Sequence, residues 1–323
     1  MYESFYRLQG KPFRLTPDFR FFFESQGHKR AIAYLRYGLE QREGFIVITG
    51  GIGTGKSTLV DMLFQMISRQ QIVAAKVVTT QLDADDLLRM VCASFGLPHE
   101  QMSKTALLKS LETFFQRKAA RNERVLLVID EAQNIPKSSL EELRMLSNIQ
   151  VNGVAVLQTF LLGQDEFMEI LQAPDMEQLR QRVIATYRLR PLSPEETPGY
   201  IEHRLRLVGW AGDPAFDQEA YAEIHAQTGG VPRRLNTFCD RLMLYGYLEE
   251  IRAFTAAHVR AVAGELLGEM DRPQRGPGGP QVSGTAIDGD PWRNDVTGRL
   301  TALEERMDEL EDALVLERAR SRG

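Results

Sequence analysis

The stretch Gly50–Thr58 has the residue types and spacing of a loop that binds phosphate. It reads G-G-I-G-T-G-K-S-T, follows an apolar run and precedes a helical pattern. The glycines let successive backbone N–H groups turn towards a β-phosphate, and the start of the following helix adds its positive dipole. Lys56 would reach the β- and γ-phosphate oxygens, and Ser57 would ligate Mg²⁺. This pattern predicts a site for ATP or ADP with Mg²⁺, lined by Gly51, Ile52, Gly53, Thr54, Gly55, Lys56, Ser57 and Thr58.

Two carboxylates follow the continuous apolar run Val125–Ile129, which is typical of a buried parallel strand. Asp130, at the carboxyl end of such a strand, can hold Mg²⁺ through water together with Ser57. The next residue, Glu131, can polarise the attacking water. The alternative is a solvated surface pair. The catalytic interpretation predicts hydrolysis rather than transfer of the phosphoryl group.

Gln164 comes directly after another apolar run, Val154–Leu162. A strand that lies between the two motif strands would bring its polar end near the γ-phosphate. Gln164 could then orient the attacking water, and the alternative is an ordinary turn residue.

Three arginines are further candidates for contact with phosphate. Arg180 and Arg182 precede the last predicted strand, from which they could reach a neighbouring subunit and stabilise charge on its γ-phosphate. Arg233 begins a helix after Gly229-Gly230-Val231-Pro232, and could fold back onto the phosphates; we prefer it to Arg234. Surface charge is the alternative for each of them.

The aromatic N-terminal arm suggests a site for the base. Phe13 and Pro17 lie in P-F-R-L-T-P-D and could pack against adenine. Packing of these aromatic residues in a core is the alternative.

Strand and helix patterns alternate through the first two thirds of the chain, which predicts an α/β fold with a doubly wound, parallel, five-stranded sheet. The later helical patterns show no strand between them and predict a small all-helical lid. The predicted strands are Phe45–Thr49, Ile72–Thr79, Val125–Asp130, Val154–Leu162 and Val183–Leu189.

The domain organisation follows from these patterns and from composition. The glycine- and proline-rich segment predicts a flexible linker, and the last leucines have the three-four spacing of a coiled coil, with a fraying helix as the alternative. The predicted parts are an arm on the nucleotide-binding core (1–27), the α/β domain (28–190), the helical lid (191–268), the linker (269–293) and the coiled-coil candidate (294–323).

Composition limits the classes of function. The net charge is −5, which argues mildly against a protein that coats nucleic acid. Cys92 and Cys239 have no metal-ligand spacing and are expected to be buried free thiols. Neither a signal sequence nor an apolar run of membrane-spanning length is visible, so we expect a soluble cytoplasmic protein.

Taken in order, the motifs resemble those of the AAA+ ATPases of the general secretion pathway protein A (ExeA) type. The resemblance covers roughly residues 1–267 and rests on the following segments: P-F-R-L-T-P-D, G-G-I-G-T-G-K-S-T, L-L-V-I-D-E-A-Q, L-L-G-Q-D-E-F, and E-E-T-P-G-Y-I-E-H-R-L with G-G-V-P-R-R-L-N. Within that family the sequence looks most similar to the ATPase encoded with exosortase/PEP-CTERM and exopolysaccharide loci.

The resemblance implies an AAA+ core, a helical lid, ring-like assembly of identical subunits, and mechanical or regulatory work in envelope export. By the match, Lys56 and Ser57 form Walker A, Asp130 and Glu131 form Walker B, Gln164 is sensor 1 and Arg233 is sensor 2. The namesake continues with a transmembrane segment and a peptidoglycan-binding domain, whereas this sequence continues with the linker. Attachment to the inner membrane would therefore go through a partner protein.

Two other functions remain open at this stage. AAA+ regulators that accompany transposases share this core and bind DNA, for which the arm offers Arg7, Lys11, Arg14 and Arg20. A nucleotide-switched scaffold with negligible turnover is the other, although intact Lys56, Asp130 and Glu131 argue against it.

Overall fold

The computed structural model describes residues 1–16, 18–41, 43–67, 71–78 and 83–270. Met1–Val259 form one compact unit, and the described residues from Arg260 onward belong to a second. The helices are α1 (Tyr2–Phe5), α2 (Gln26–Gln41), α3 (Lys56–Ile67), α4 (Ala84–Ser94), α5 (Lys104–Ala120), α6 (Lys137–Leu146), α7 (Glu166–Gln172), α8 (Glu177–Arg180), α9 (Glu196–Arg206), α10 (Gln218–Thr228), α11 (Pro232–Leu248) and α12 (Ala256–Met270). The strands are β1 (Phe45–Thr49), β2 (Ile72–Val78), β3 (Arg124–Asp130), β4 (Gln150–Val151), β5 (Val154–Ala155), β6 (Leu157–Gly163), β7 (Val183–Arg188), β8 (Ala215–Phe216) and β9 (Ala253–Phe254).

The central sheet is parallel and five-stranded, in the order β2-β3-β6-β1-β7. The predicted α/β fold is therefore confirmed. In the register, Thr49 at the end of β1 pairs with Gly163 on one side and with Arg188 on the other. The carboxyl ends of these strands consequently lie side by side at one end of the sheet, which is where open α/β sheets bind their ligands.

Both faces of the sheet are covered, because successive side chains of a strand point to opposite sides. Phe45 and Val47 pack in a core with α4, α5 and α6, whereas Ile46 and Ile48 pack in a second core with α2 and α3. Continuous apolar strands such as β3 are thus explained by burial on both faces.

The predicted strand Val154–Leu162 proves to be two elements. Val154–Ala155 turns back to pair with Gln150–Val151, and only Leu157–Gly163 joins the central sheet. The turn is Asn152-Gly153, with φ of 53° and 77°. Such an Asn-Gly pair is the usual signal for a two-residue hairpin turn, so the sequence contained this signal.

The sequence predicts an all-helical lid, but the lid also contains one short pair of strands. Ala215–Phe216 and Ala253–Phe254 pair in parallel beside helices α9, α10 and α11. Two residues per strand are too few to produce a visible alternation of apolar and polar residues. The pairing is held by burial of Phe254, whose side chain is fully enclosed.

The prediction that the N-terminal arm packs on the nucleotide-binding core is wrong for its first fourteen residues, which pack on the lid. The Tyr6 hydroxyl donates to the Ile251 carbonyl over 2.8 Å, and Arg204 Nε donates to the Pro12 carbonyl over 2.7 Å. The lid offers buried donors and an apolar surface to the aromatic residues of the arm. Further along, the turn Phe19–Phe21 lies against α3 of the core, and the ring of Phe22 packs against His28.

Other expectations concern the tail, the cysteines and membrane spans. The predicted coiled coil and the linker from residue 271 onward lie outside the described residues. Cys92 and Cys239 are buried and free, as expected, and burial raises the pKa of the Cys92 thiol to about 11. Within the described part of the chain, no helix combines the length and the apolar character needed to cross a membrane.

The contact between α2 and β1 gives a first testable prediction. A Cβ atom at Gly38 would lie 2.3 Å from Ile46 Cγ1, so Gly38→Ala overpacks the core between α2 and β1. We expect the free energy of unfolding to fall by roughly 1–3 kcal/mol in urea denaturation. Gly199→Ala is the matched control, since a Cβ in that helix would meet Phe23 at an ordinary 3.5 Å. Equal stability of the two variants would contradict this packing.

Candidate functional site

The phosphate loop joins the end of β1 to the start of α3. Gly53 and Gly55 have φ of 78° and 102°, a backbone region that favours glycine. The Thr54 hydroxyl donates to the Gly51 carbonyl over 2.9 Å. A Cβ at Gly55 would lie 2.8 Å from the His28 ring, which shows how closely helix α2 supports the loop.

Lys56 is buried inside this loop, with 6% of its surface exposed. Its Nζ donates to the Gly50 carbonyl over 2.7 Å and to the Gly51 carbonyl over 3.1 Å. Burial lowers the pKa of the ammonium, and the carboxylates of Glu131 and Asp130 oppose that shift. The loop thus holds a positive charge at the centre of the phosphate site predicted from the sequence.

The two predicted Mg²⁺ ligands are in direct contact. The Ser57 hydroxyl donates to Asp130 Oδ2 over 3.0 Å, although 73 positions separate the residues. Hydroxyl and carboxylate oxygens are the donors that Mg²⁺ prefers. The residues present therefore fit this ion.

Glu131 and Gln164 also come together, through a residue that the sequence analysis did not single out. Gln133 Nε2 donates to Glu131 Oε2 over 2.6 Å, and its Oε1 accepts the Gln164 backbone N–H over 2.9 Å. Gln164 Nε2 itself lies 3.4 Å from Glu131 Oε2. The only signal for Gln133 was its place just after the two carboxylates, where a 3₁₀ turn now holds it.

Glu131 has an unusual backbone. Its φ is 56°, in the left-handed region that few residues other than glycine adopt. Its N–H donates to Asp130 Oδ1 over 3.1 Å, which holds the turn in place. Strained backbone of this kind concentrates at functional sites, and here it aims the carboxylate at the two glutamines.

Arg180 and Arg182 lie near the amino-terminal ends of the strands, whereas the phosphate loop lies at the carboxyl ends. The next residue, Val183, pairs with Phe45 at the first position of β1. Arg180 donates to the Leu171 carbonyl over 3.0 Å, and Arg182 donates to the Ser147 hydroxyl over 3.3 Å. Neither arginine can reach the phosphate loop of its own chain, so their predicted role would have to be played on another copy.

Arg233 touches the loop with its backbone. Its N–H donates to the Gly53 carbonyl over 3.2 Å, and its Cβ would lie 2.6 Å from a Cβ built on Gly53. Helix α11 of the lid therefore begins directly on the loop. The Arg233 side chain is exposed, and its predicted role as a phosphate sensor stays a prediction.

The predicted contact of Phe13 with adenine does not fit this structure, because Phe13 is only 2% exposed and its ring presents no open face. Pro17 lies outside the described residues, so its contact stays a prediction. A cavity of about 420 Å³ lies beside the end of β7 and the start of α2. It is lined by Gln26, Gly27, Arg30, Tyr187, Arg188, Arg190, Pro191, Ser193 and Glu196.

Known proteins resemble both the sequence and the fold. Residues 39–171 match the family described as AAA domain. General secretion pathway protein A of Aeromonas hydrophila is 32% identical over 272 residues, which cover 84% of this chain and 49% of that protein. The chain therefore spans about half the length of this curated relative.

Solved structures of low identity share the architecture. Cdc6p of Pyrobaculum aerophilum superimposes with a TM-score of 0.60 at 15% identity, covering 84% of this chain and 74% of that one. The ORC1 protein of Aeropyrum pernix, in complex with DNA, gives 0.57 at 15% identity, covering 80% and 70%. At such identities the likeness shows the fold alone.

The buried His28 generates a prediction about pH. Burial lowers the pKa of its imidazole from 6.5 to about 4, with Glu196 opposing. The unfolded chain then binds this proton more readily than the folded chain. Stability is retained above about pH 6.5 and falls as the pH decreases towards 4, by up to about 3 kcal/mol from this residue.

We expect His28→Asn to flatten this pH dependence in denaturant unfolding measured at pH 7.0, 6.0 and 5.0. The matched control is His99→Asn, which removes a half-exposed histidine of a surface loop. Identical slopes for the His28 variant and the parent would contradict the assignment.

Proposed function

We propose that this chain, which has the P-loop AAA+ fold and resembles general secretion pathway protein A in sequence, hydrolyses ATP to ADP and phosphate with Mg²⁺. The observation that carries the proposal is the Glu131 carboxylate, which lies beside the Ser57–Asp130 pair and contacts both Gln133 and Gln164. A protein that only bound nucleotide would not need this group.

In the proposed mechanism each residue of the site has one task. Lys56 exchanges its loop carbonyls for β- and γ-phosphate oxygens. Ser57 and Asp130 would hold Mg²⁺, which would supply positive charge against the phosphates. Glu131 accepts a proton from the attacking water, and Gln164 orients that water. Gln133 holds Glu131 and Gln164 close to each other through one hydrogen bond to each.

The biological role that we propose is to power or regulate the assembly of an envelope export system, in particular one of the exosortase/PEP-CTERM and exopolysaccharide kind. Its support is the sequence relationship to a secretion pathway protein and the net charge of −5. The protein would act in the cytoplasm, attached to the inner membrane through a partner. The DNA-bound neighbour shares only the fold, and so does not favour the DNA-binding alternative.

We further propose that the active form is an oligomer, as a ring of identical subunits. The support is the position of Arg180 and Arg182 near the amino-terminal ends of the strands, away from the phosphate loop of their own chain. In a ring, the surface of one subunit that carries these arginines can face the nucleotide of the next subunit, where an arginine stabilises charge on the γ-phosphate. Arg233 would sense that phosphate from the lid of the same subunit.

The role of Glu131 is tested by Glu131→Gln. We expect ATP binding within about twofold of the parent, because the loop and the Mg²⁺ ligands are intact, and turnover lowered by about 10²-fold or more, because the water loses its base. Phosphate release and equilibrium binding of a fluorescent ATP measure the two effects. Lys56→Ala should lose binding itself.

Glu169→Gln is the control for the loss of a carboxylate, since Glu169 is exposed on α7. A Glu131→Gln variant that hydrolyses ATP at the rate of this control would contradict the catalytic assignment. Light scattering of Glu131→Gln with ATP tests the ring, whose mass should exceed that of the nucleotide-free chain.

The arginines are tested by mixing variants. Arg180→Ala and Arg182→Ala should each be assayed for turnover and for ATP affinity. The residue that acts across the interface should lower turnover at least tenfold without lowering affinity. Mixing that variant with Lys56→Ala should restore some activity, because a mixed interface combines one intact loop with one intact arginine. No rescue at any ratio would argue against action between subunits.

A further inference from the structure

Lys76 brings a second positive charge to the carboxylate of the Mg²⁺ site. Its Nζ lies 3.0 Å from Asp130 Oδ2, the oxygen that also accepts the Ser57 hydroxyl over 3.0 Å. Nothing in the sequence marks this lysine, because it lies in an apolar strand outside both motifs. Asp130 Oδ2 is thus shared between a Mg²⁺ ligand and an ammonium group.

The register of the sheet explains how Lys76 reaches this position. On edge strand β2, Lys76 pairs with Val128, and Val78 pairs with Asp130. Ile72 and Ala74 share the face of Lys76 and pack with the core beside α3. The lysine stem therefore runs along that face towards the end of the neighbouring strand.

The environment of this ion pair differs from that of an ordinary edge-strand lysine, which projects into water. The Asp130 side chain is 4% exposed and the Lys76 side chain 24%. An ion pair this far from solvent is screened less than a surface pair, and losing one partner leaves a costly unpaired charge.

We propose that Lys76 is an internal counter-ion of Asp130, which competes with Mg²⁺ for Oδ2 and so sets the Mg²⁺ concentration at which nucleotide and metal bind together. This inference rests on the proposed function. Mg²⁺ requires close oxygen ligands at about 2.1 Å, and an ammonium group on the same oxygen opposes the approach of a doubly charged ion. The carboxylate must release Lys76, or share with it, for the metal to bind.

Lys76→Met tests the proposal, because it keeps the apolar stem and removes the charge. Binding of a fluorescent ADP should be titrated with Mg²⁺ at constant ionic strength. We expect the half-saturating Mg²⁺ concentration to fall by about tenfold, the ratio that corresponds to ~1.4 kcal/mol of lost competition. Lys76→Gln, which is also neutral, should shift it in the same direction, and Lys76→Arg should not lower it.

Lys137→Met is the matched control. It also removes one lysine charge and one ion pair, to Asp175 over 2.6 Å, but on an exposed surface. We expect no change in its Mg²⁺ requirement. If Lys76 only ties β2 to β3, then Lys76→Met will be less stable, yet its half-saturating Mg²⁺ concentration will equal that of the parent. That outcome would overturn the proposal.

A second measurement separates this inference from the proposed function. Mn²⁺ binding to the nucleotide-free protein is followed by its electron paramagnetic resonance signal, and we expect Lys76→Met to bind Mn²⁺ more tightly than the parent. Failure of the parent to bind nucleotide at any Mg²⁺ concentration would reject the proposed function alone. A Mn²⁺ affinity that does not rise in Lys76→Met would overturn the role of Lys76.

Discussion

The hydrogen bond between Ser57 and Asp130 is the contact on which the site depends, because strand β6 separates β1, which leads into the loop before Ser57, from β3, which ends at Asp130. The loop after β1 and the carboxylate after β3 can meet only above the end of this middle strand. Gln164 follows that strand directly, so the same order of strands brings it to Glu131. One topological fact therefore assembles groups from three distant parts of the sequence.

A second layer of contacts fixes the conformation of the loop. The His28 ring packs against Gly55, and the Arg233 N–H in the first turn of α11 donates to the Gly53 carbonyl from the lid side. Glycines are required at both contacts, since a Cβ at either position would collide with its neighbour. The loop is thus held in one shape by packing as well as by its own hydrogen bonds, as preorganised binding requires.

Much of this fold could be predicted, because the loop and the buried strands have strong local signals. Gly50–Thr58 and Asp130-Glu131 each read as a unit, and a central parallel strand is a plain apolar run. Lys76 and Gln133 could not be found in that way. Their partners come from sheet register and from a short turn, which leave no periodic pattern. The attachment of the arm to the lid was missed because aromatic residues do not specify the surface that buries them.

The arm has a mechanical consequence. Its first residues are bonded to the lid, where the Tyr2 hydroxyl meets Asp240, while the ring of Phe22 packs edge-on against His28 beneath the phosphate loop. The N-terminal segment therefore contacts the lid at its first residues and the core at its last residues, and so links the two. Rotation of the lid would pull on the helix that supports Gly55. A protein fused before Tyr2 would move with the lid and would exert force on this N-terminal segment.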